Sequence, residues 1–498
     1  MLDLIDRTFS ALNAQLVPYC HWKSNFSLAY GLSGGGDLDL LVKQESVPQV
    51  VTTLSRLGFK EAIPAYGSRT PGVSHHYGLD GASGRLVHVH LFSQVITGES
   101  LVKSHCLPLE TMLLEDTVII EHVRVPSPPA ELVSFIVRTY IKYGSLLDLM
   151  KLLKSSAEVR GELQWLLKRA ELSDALELLR QYLPTFDPAL FLTCFDALNQ
   201  PRTNGKRIVL AFRVRRILRK YARLSALTRI LVYFQLALDV ARARLFGKTL
   251  CKSLKGGSRI IAFVGADGTG KSTLAEACRS WLGESFGLRL IHAGKPPASL
   301  LTLPIRLILP AARLLWPRLR VAQIEKDPNP DSSGQPQMAA IGIGSMLYGF
   351  RAAALAWDRW RLLRRAVRRA VRGEIILCDR YPSQAVGTMD GPRLLAQEAS
   401  RAVIASIYGW LSRLELRLYG EIPPPDIVLR LSASIETAKA RNRMRAESDQ
   451  DQDTYLERRH DRSQEWLKPG TAHVLDIDTE QPLQRTILSV KEAIWASI

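Results

Sequence analysis

The sequence predicts an α/β protein in three segments: a small α+β domain over residues 1–125, a helical region over 126–255, and a parallel-sheet domain over 256–498. Three observations carry this reading. From Arg259 onward, short apolar runs (RIIAFVG, LRLIHAG, EIILCDR, PDIVLRL, AHVLDID) alternate with helical stretches, the pattern of a parallel sheet covered by helices. The first segment instead mixes strand-like runs (LDLLV, RLVHVHLF, TVIIEHVRV) with Gly-rich turns. Between them lie long periodic stretches with little glycine.

Within the first segment, Gly34-Gly-Gly-Asp-Leu-Asp-Leu-Leu-Val42 sets Asp37 and Asp39 on one face of a strand, because side chains alternate with period two. Two carboxylates after such a turn can hold Mg²⁺. Preceded by His21-Trp-Lys-Ser-Asn25, this layout resembles the DNA polymerase beta-like nucleotidyltransferase superfamily. Where that superfamily has a Gly-Ser element this chain has Lys23-Ser24, and His88 and His90 stand where its third carboxylate is expected. Two-metal chemistry needs concentrated negative charge. Three readings stay open: a degenerate sugar- or nucleotide-binding domain, an active transferase, or a coincidental DxD turn.

The helical segment opens after Val125-Pro-Ser-Pro-Pro, and the periodicity predicts one long helix from Lys206 to about Phe246. At about 100° per residue, Arg213, Arg215, Arg216, Arg219, Lys220 and Arg223 share one arc, and Leu210, Val214, Ile217, Leu218, Tyr221 and Leu224 the other. The basic arc is read either as a solvated face or as a contact for anionic lipid headgroups. Nucleic acid ranks last, because no aromatic–basic interleaving accompanies it.

Charge and cysteine usage bear on partners and compartment. The chain of 498 residues has 66 Lys+Arg against 48 Asp+Glu, a net charge of +18 that calls for anionic company. With 46% hydrophobic and 23% charged residues it is not a predominantly disordered chain. Six cysteines, none in a CxxC pair, suggest neither a zinc framework nor a disulfide scaffold. The start MLDLIDRTFSALNAQL does not read as a signal peptide, so the expected location is the reducing cytoplasm, with peripheral membrane contact open. The apolar stretch Ser299–Pro317 carries Arg306 and Arg313, which cost roughly 5–7 kcal/mol in a membrane span. It is read as an interfacial or site-covering helix, followed by a turn-rich loop over Lys326–Gln337.

The most specific motif is Gly265-Ala266-Asp267-Gly268-Thr269-Gly270-Lys271-Ser272, a GxxxxGK[ST] match followed by Thr273. A buried-type strand, Ile260–Val264, enters it and a helix leaves it. Glycines let the backbone N–H groups curl toward phosphate oxygens, and the helix N-terminus adds its positive dipole end. Lys271 is expected to reach the β/γ-phosphates and Ser272 to offer its hydroxyl to Mg²⁺, so the chain is expected to bind ATP with Mg²⁺. Asp379 and Arg380 follow the strand EIIL at its carboxyl end, where open α/β sheets bind ligands. Asp358-Arg359 lies in an arginine-rich helix, and Arg441, Arg443 and Arg445 form a cationic stretch with the character of a lid.

These elements together make Arg259–Ile498 resemble the thymidylate kinase family of P-loop kinases. An acidic third position in the P-loop (Asp267), a helical Asp-Arg pair (Asp358, Arg359), a DRY element (Asp379–Tyr381) and an arginine-bearing lid occur in the family's order. The resemblance implies a five-stranded parallel sheet, MgATP, γ-phosphoryl transfer to a nucleoside monophosphate such as dTMP, and a homodimer. By the same resemblance, Asp267 contacts the acceptor's sugar hydroxyl or reacting phosphate. Asp358, Arg359, Arg380 and Tyr381 form its binding side, and Asp379 supports the metal. Gly268 follows the acidic P-loop residue where an arginine could stand, so Arg441 and Arg445 are the catalytic arginine candidates. The family's members lack an N-terminal half of this kind, and MDGPR (Met389–Arg393) replaces the expected acceptor-stacking region. Two alternatives are therefore carried. One is a kinase for a sugar or lipid-linked acceptor of surface polysaccharide assembly, and the other an ATP-switched binding or scaffold protein.

Overall fold

The computed structural model describes residues 1–64, 70–99, 102–142, 146–200, 203–246, 251–305, 343–385, 390–394, 403–444, 457, 466, 470 and 473–498. Residues 146–156, 204, 246, 343–345, 347 and 403–405 are described by backbone alone. The chain divides into two compact units, Met1–Gly256 and Gly257–Ile498.

In the first unit, a six-stranded sheet is built from β1 (Tyr19–His21), β2 (Leu38–Val42), β3 (Lys60–Ile63), β4 (Val73–Asp80), β5 (Arg85–Phe92) and β10 (Ser253–Leu254). Its order is β1-β2-β5-β4-β3-β10. Only β2 and β5 run parallel, and their register sets Asp39 opposite His90. Two hairpins, β6 (Val95–Thr97) with β7 (His105–Leu107) and β8 (Thr117–Ile120) with β9 (Val123–Pro126), complete the strands among the described residues of this unit. The period-two alternation of β2 divides its side chains between two cores. Leu38, Leu40 and Val42 pack with Leu4, Phe9, Leu12, Val50 and Leu54 of the helices Asp3–Ala14 and Val47–Arg56. Leu41, with Trp22 and Phe92, joins the core of the helical segment, which includes Phe135, Ile136, Tyr140 and Phe191. That helical segment therefore shares its core with the sheet.

The helix expected from Lys206 to Phe246 is interrupted. Asn204–Ile217 is α-helical, Leu218–Tyr221 tightens to a 3₁₀ turn, and a second helix runs over Ala226–Phe246. The break has a tertiary cause. Arg223 N–H donates to Ser104 O at 2.8 Å, the Arg223 guanidinium donates to Lys103 O at 3.0 Å, and Ala222 bridges His105 of β7. The basic arc is also divided: Arg215 turns inward to ion-pair with the buried Glu99, whereas Arg213, Arg216, Arg219 and Lys220 are exposed.

The second unit holds a parallel sheet in the order β12 (Leu288–His292), β13 (Ile375–Asp379), β11 (Ile260–Gly265), β14 (Ile427–Ser432), β15 (His473–Asp478). The five parallel strands match the expectation. Burial on both faces explains the nearly continuous apolar composition of the inner strands β13, β11 and β14. On one face Ile260, Ala262 and Val264 pack with Ala356, Leu363 and Ala366 of the helix Ile343–Ala370. Trp281 of the helix Lys271–Gly283 meets Trp495 of the helix Leu483–Ser497, with ring centroids 6.4 Å apart. Because β11 lies between β13 and β14, the carboxyl ends of these strands flank the switch point at which open α/β sheets bind ligands. The expected helix over Ser299–Pro317 lies outside the described residues beyond position 305, and so do Lys326–Gln337, Met389 and Arg445. Among the described residues, no helix is long and apolar enough to cross a membrane.

Candidate active site

The P-loop occupies the switch point. Strand β11 ends at Gly265, whose φ of 142° and crowding make glycine obligatory: a Cβ there would sit 2.3 Å from Leu431 O of β14. At Gly268 (φ 88°) a Cβ would lie 2.9 Å from the backbone of Ala438. Thr269 Oγ1 closes the turn on Ala266 O at 2.8 Å, and the helix begins at Lys271. Lys271 is buried. Its ammonium donates to the carbonyls of Gly265 (3.0 Å) and Ala266 and lies 3.8 Å from Asp267. Burial pushes its pKa down to about 8, with Asp267 acting in the opposite sense.

Ser272 and Asp379 come together from β13 and the helix N-terminus. Ser272 Oγ donates to Asp379 Oδ2 at 2.7 Å, and His292 Nδ1 donates to the same oxygen at 3.0 Å. Asp379 Oδ1 is buried without a hydrogen-bond partner. A hydroxyl beside a carboxylate with a free, desolvated oxygen is a donor set that suits Mg²⁺.

Beside it stands an acid–arginine network. Arg380, in the left-handed region at φ 71°, donates to Asp267 Oδ1 at 2.7 Å and approaches Asp390 Oδ2 at 3.5 Å. Burial works against its charge, but Asp267, Asp390 and Asp379 hold its pKa above the ordinary value. Gly294 permits the close approach, since a Cβ there would meet Arg380 Cδ at 2.6 Å. Arg359 is fully buried, and all five of its donors are used within the protein. It donates to Ala293 O (2.9 Å), Gly294 O (3.2 Å), Asp390 O (3.1 Å), Asp390 Oδ1 (2.7 Å) and Tyr419 Oη (2.5 Å).

The structure thus brings Asp267, Lys271, Ser272, Asp379 and Arg380 together. Asp358 is turned instead to the Ser299–Thr302 turn, accepting from Ser299 N at 3.0 Å and from Thr302 Oγ1 at 2.7 Å. Tyr381 donates its hydroxyl to Pro423 O at 2.6 Å and is buried. Arg441, on the helix Ile435–Arg443, reaches the P-loop from behind, donating to Gly268 O and Thr479 Oγ1, both at 3.3 Å. Thr273 is exposed on the first helical turn. Sequence reasoning missed Asp390 and His292. The turn signal Asp-Gly-Pro at 390–392 pointed toward the former, and nothing local distinguished the latter.

In the N-terminal unit each DxD carboxylate faces a histidine across the β2–β5 register. His88 Nδ1 lies 2.6 Å from Asp37, and His90 Nδ1 lies 3.1 Å from Asp39, which also pairs with Lys23 Nζ at 2.9 Å. Lys103 Nζ donates to His90 Nε2 at 3.1 Å, and His75 Nδ1 stands 3.0 Å from His88 Nε2. Burial opposes ionisation of Asp39, yet Lys23 and His90 hold its carboxyl well below the usual range. Burial lowers His90 to about 4, leaving a neutral ring beside the carboxylate. Among the described residues, no group of three or more His, Cys, Asp and Glu is arranged to hold a metal ion.

Known proteins are similar to part of this chain. Thymidylate kinase of Alkalilimnicola ehrlichii is 24% identical over 244 residues, covering 48% of this chain and 94% of that protein. The uncharacterized ATP-binding protein YghR of Escherichia coli K12 is 28% identical over 191 residues, 36% of this chain and 68% of that protein. The structure of thymidylate kinase from Candida albicans covers 48% of this chain and 92% of its own, with 16% identity and a TM-score of 0.27. No protein-family profile matches the chain. The similarity supports a P-loop kinase-like region with ATP-binding character.

Proposed function

We propose that the C-terminal unit is a MgATP-dependent phosphotransferase whose acceptor is a nucleoside monophosphate. The observation that carries this reading is the convergence of Lys271, the Ser272–Asp379 pair and the Asp267–Arg380 pair at the carboxyl ends of β11 and β13. The N–H groups of the loop and the first helical turn receive the triphosphate, and the helix dipole adds to their pull. Lys271 exchanges its carbonyl partners for β/γ-phosphate oxygens. Ser272 and Asp379 would hold Mg²⁺, which when bound neutralises charge on the β- and γ-phosphates. Arg380 is partly exposed and presents its guanidinium to the acceptor, while Asp267 orients it and can accept from an acceptor hydroxyl. Arg359 keeps the Ala293–Gly294 backbone and Asp390 in place around Arg380. Catalysis is then positioning plus charge neutralisation.

One observation favours a second reading. With every Arg359 donor spent internally, the acceptor side offers fewer free cations than two arginines suggest, which suits a hydroxyl acceptor such as a sugar held by Asp267. ADP release measured across dTMP, other nucleoside monophosphates, sugars and polyprenyl acceptors separates the two. Stimulation by a monophosphate is expected. Stimulation confined to sugar or lipid-linked acceptors replaces the first reading by the second, and no stimulation by any acceptor overturns both.

The state of Lys271 yields a pH dependence. Phosphate binding needs the ammonium charged, and the free protein loses that charge as pH rises through about 8. Above this point binding must take up a proton, so ATP affinity is expected to fall, approaching about tenfold per pH unit. Calorimetric titration of ATP at pH values on either side of this point checks the expectation. An affinity that does not change above it contradicts the assignment.

A further inference from the structure

The helix Ala226–Phe246 is apolar on two opposite faces. At about 100° per residue, Val232, Leu236, Val240 and Ala243 lie on one side, partly or fully buried. On the other, Leu227, Ile230, Leu231, Phe234, Leu238 and Leu245 form a stripe about 100° wide in which each side chain is 40–79% exposed. At 1.5 Å per residue the stripe is about 27 Å long. Exposed apolar surface this continuous marks a contact surface rather than ordinary scatter. Val209 and Phe212 of the preceding helix are exposed as well.

Charge indicates what covers it. Over residues 204–246 there are eleven Lys and Arg against one acid, Asp239, which lies off the stripe beside Arg242. Arg215 and Arg229 are held internally by Glu99, but Arg213, Arg216, Arg219 and Lys220 remain exposed on the segment leading into the stripe. Arg242 and Arg244 are exposed at its far end. A long apolar stripe with cations at both ends and almost no acid matches an interfacial helix lying in the headgroup plane of an anionic bilayer. The helix is not apolar enough to cross one.

We propose that Ala226–Phe246 seats the N-terminal unit on an anionic membrane surface, with its Leu227–Leu245 stripe among the acyl chains and its flanking cations on acidic headgroups. The assignment concerns a different unit from the phosphotransferase site and does not rest on it. It also moves the lipid contact from the expected Arg213–Arg223 arc to the following helix, leaving the arc's exposed cations as electrostatic support.

The test uses the full chain and sedimentation with vesicles of phosphatidylcholine, alone or with about a third phosphatidylglycerol. Binding to the anionic vesicles is expected to be at least about tenfold stronger and to weaken at high salt. The pair Leu231→Glu and Phe234→Glu is expected to reduce binding at least about tenfold while ATP binding is retained, and Arg216→Glu with Arg219→Glu to narrow the preference for anionic lipid. Equal binding by wild type and the Leu231/Phe234 variant, or no preference for anionic vesicles, overturns the proposal. So does failure to bind vesicles together with stripe-dependent self-association in light scattering, which assigns the face to a protein partner. Should the double variant misfold, Phe234→Trp provides the readout: its emission is expected to shift to the blue on adding anionic vesicles, and an unchanged spectrum overturns the proposal.

Discussion

Replacing Lys271 with alanine is expected to lower phosphoryl transfer by about 10²–10³-fold, the range for removing one preorganised charge donor from a closed site. Its ammonium is buried among Gly265 O, Ala266 O and Asp267, so no nearby solvent-borne cation replaces it. Lys271→Arg is not expected to rescue activity, because a planar guanidinium needs more room than this enclosed ammonium occupies. The effect is read as acceptor-dependent ADP release, alongside circular dichroism to show that the fold persists. Unchanged ATP turnover in Lys271→Ala contradicts the phosphotransferase reading.

Arg359→Ala acts through stability. It removes a fully buried guanidinium and leaves Asp390 Oδ1, Tyr419 Oη and three backbone carbonyls without their donor. Breaking one side of a buried charge pair costs about 3–5 kcal/mol. Chemical denaturation followed by tryptophan fluorescence is expected to show a loss of this size, with Trp357 and Trp360 in the neighbouring core as reporters. Combining Arg359→Ala with Asp390→Ala is expected to cost less than the sum of the single changes, because the second removes the stranded carboxylate. Additive losses contradict the coupling seen in the structure.

The contrast between Lys271 and Arg359 shows what was legible in the sequence. The P-loop motif encodes its own backbone path: glycines occupy the positive-φ positions 265, 268 and 270, and one spacing places lysine and serine at the helix start. The parallel sheet was legible because doubly covered strands must be apolar throughout. Asp379 and Arg380 were legible as residues at a strand's carboxyl end. Arg359 was read as a phosphate ligand from its place beside Asp358, but its acceptors come from 31 to 66 positions away, and periodicity carries no record of which donors will be satisfied. The broken helix at Leu218–Ser225 has the same origin, since Ser104 and Lys103 capture Arg223 from the first segment. The DxD pair was legible as two carboxylates on one strand face. Their pairing with His88 and His90 depended on a cross-strand register that neither strand discloses alone.

The closeness of Gly265 to Leu431 and of Gly268 to Ala438 has a thermodynamic consequence. The phosphate cradle is pinned by backbone from β14 and the helix after it, and Arg441 ties Gly268 to Thr479. Its shape is therefore set during folding rather than when nucleotide arrives. ATP should enter a cavity that has already lost its configurational freedom, so the entropic penalty of loop ordering is small and amide hydrogen exchange in residues 265–270 is slow even in the nucleotide-free chain.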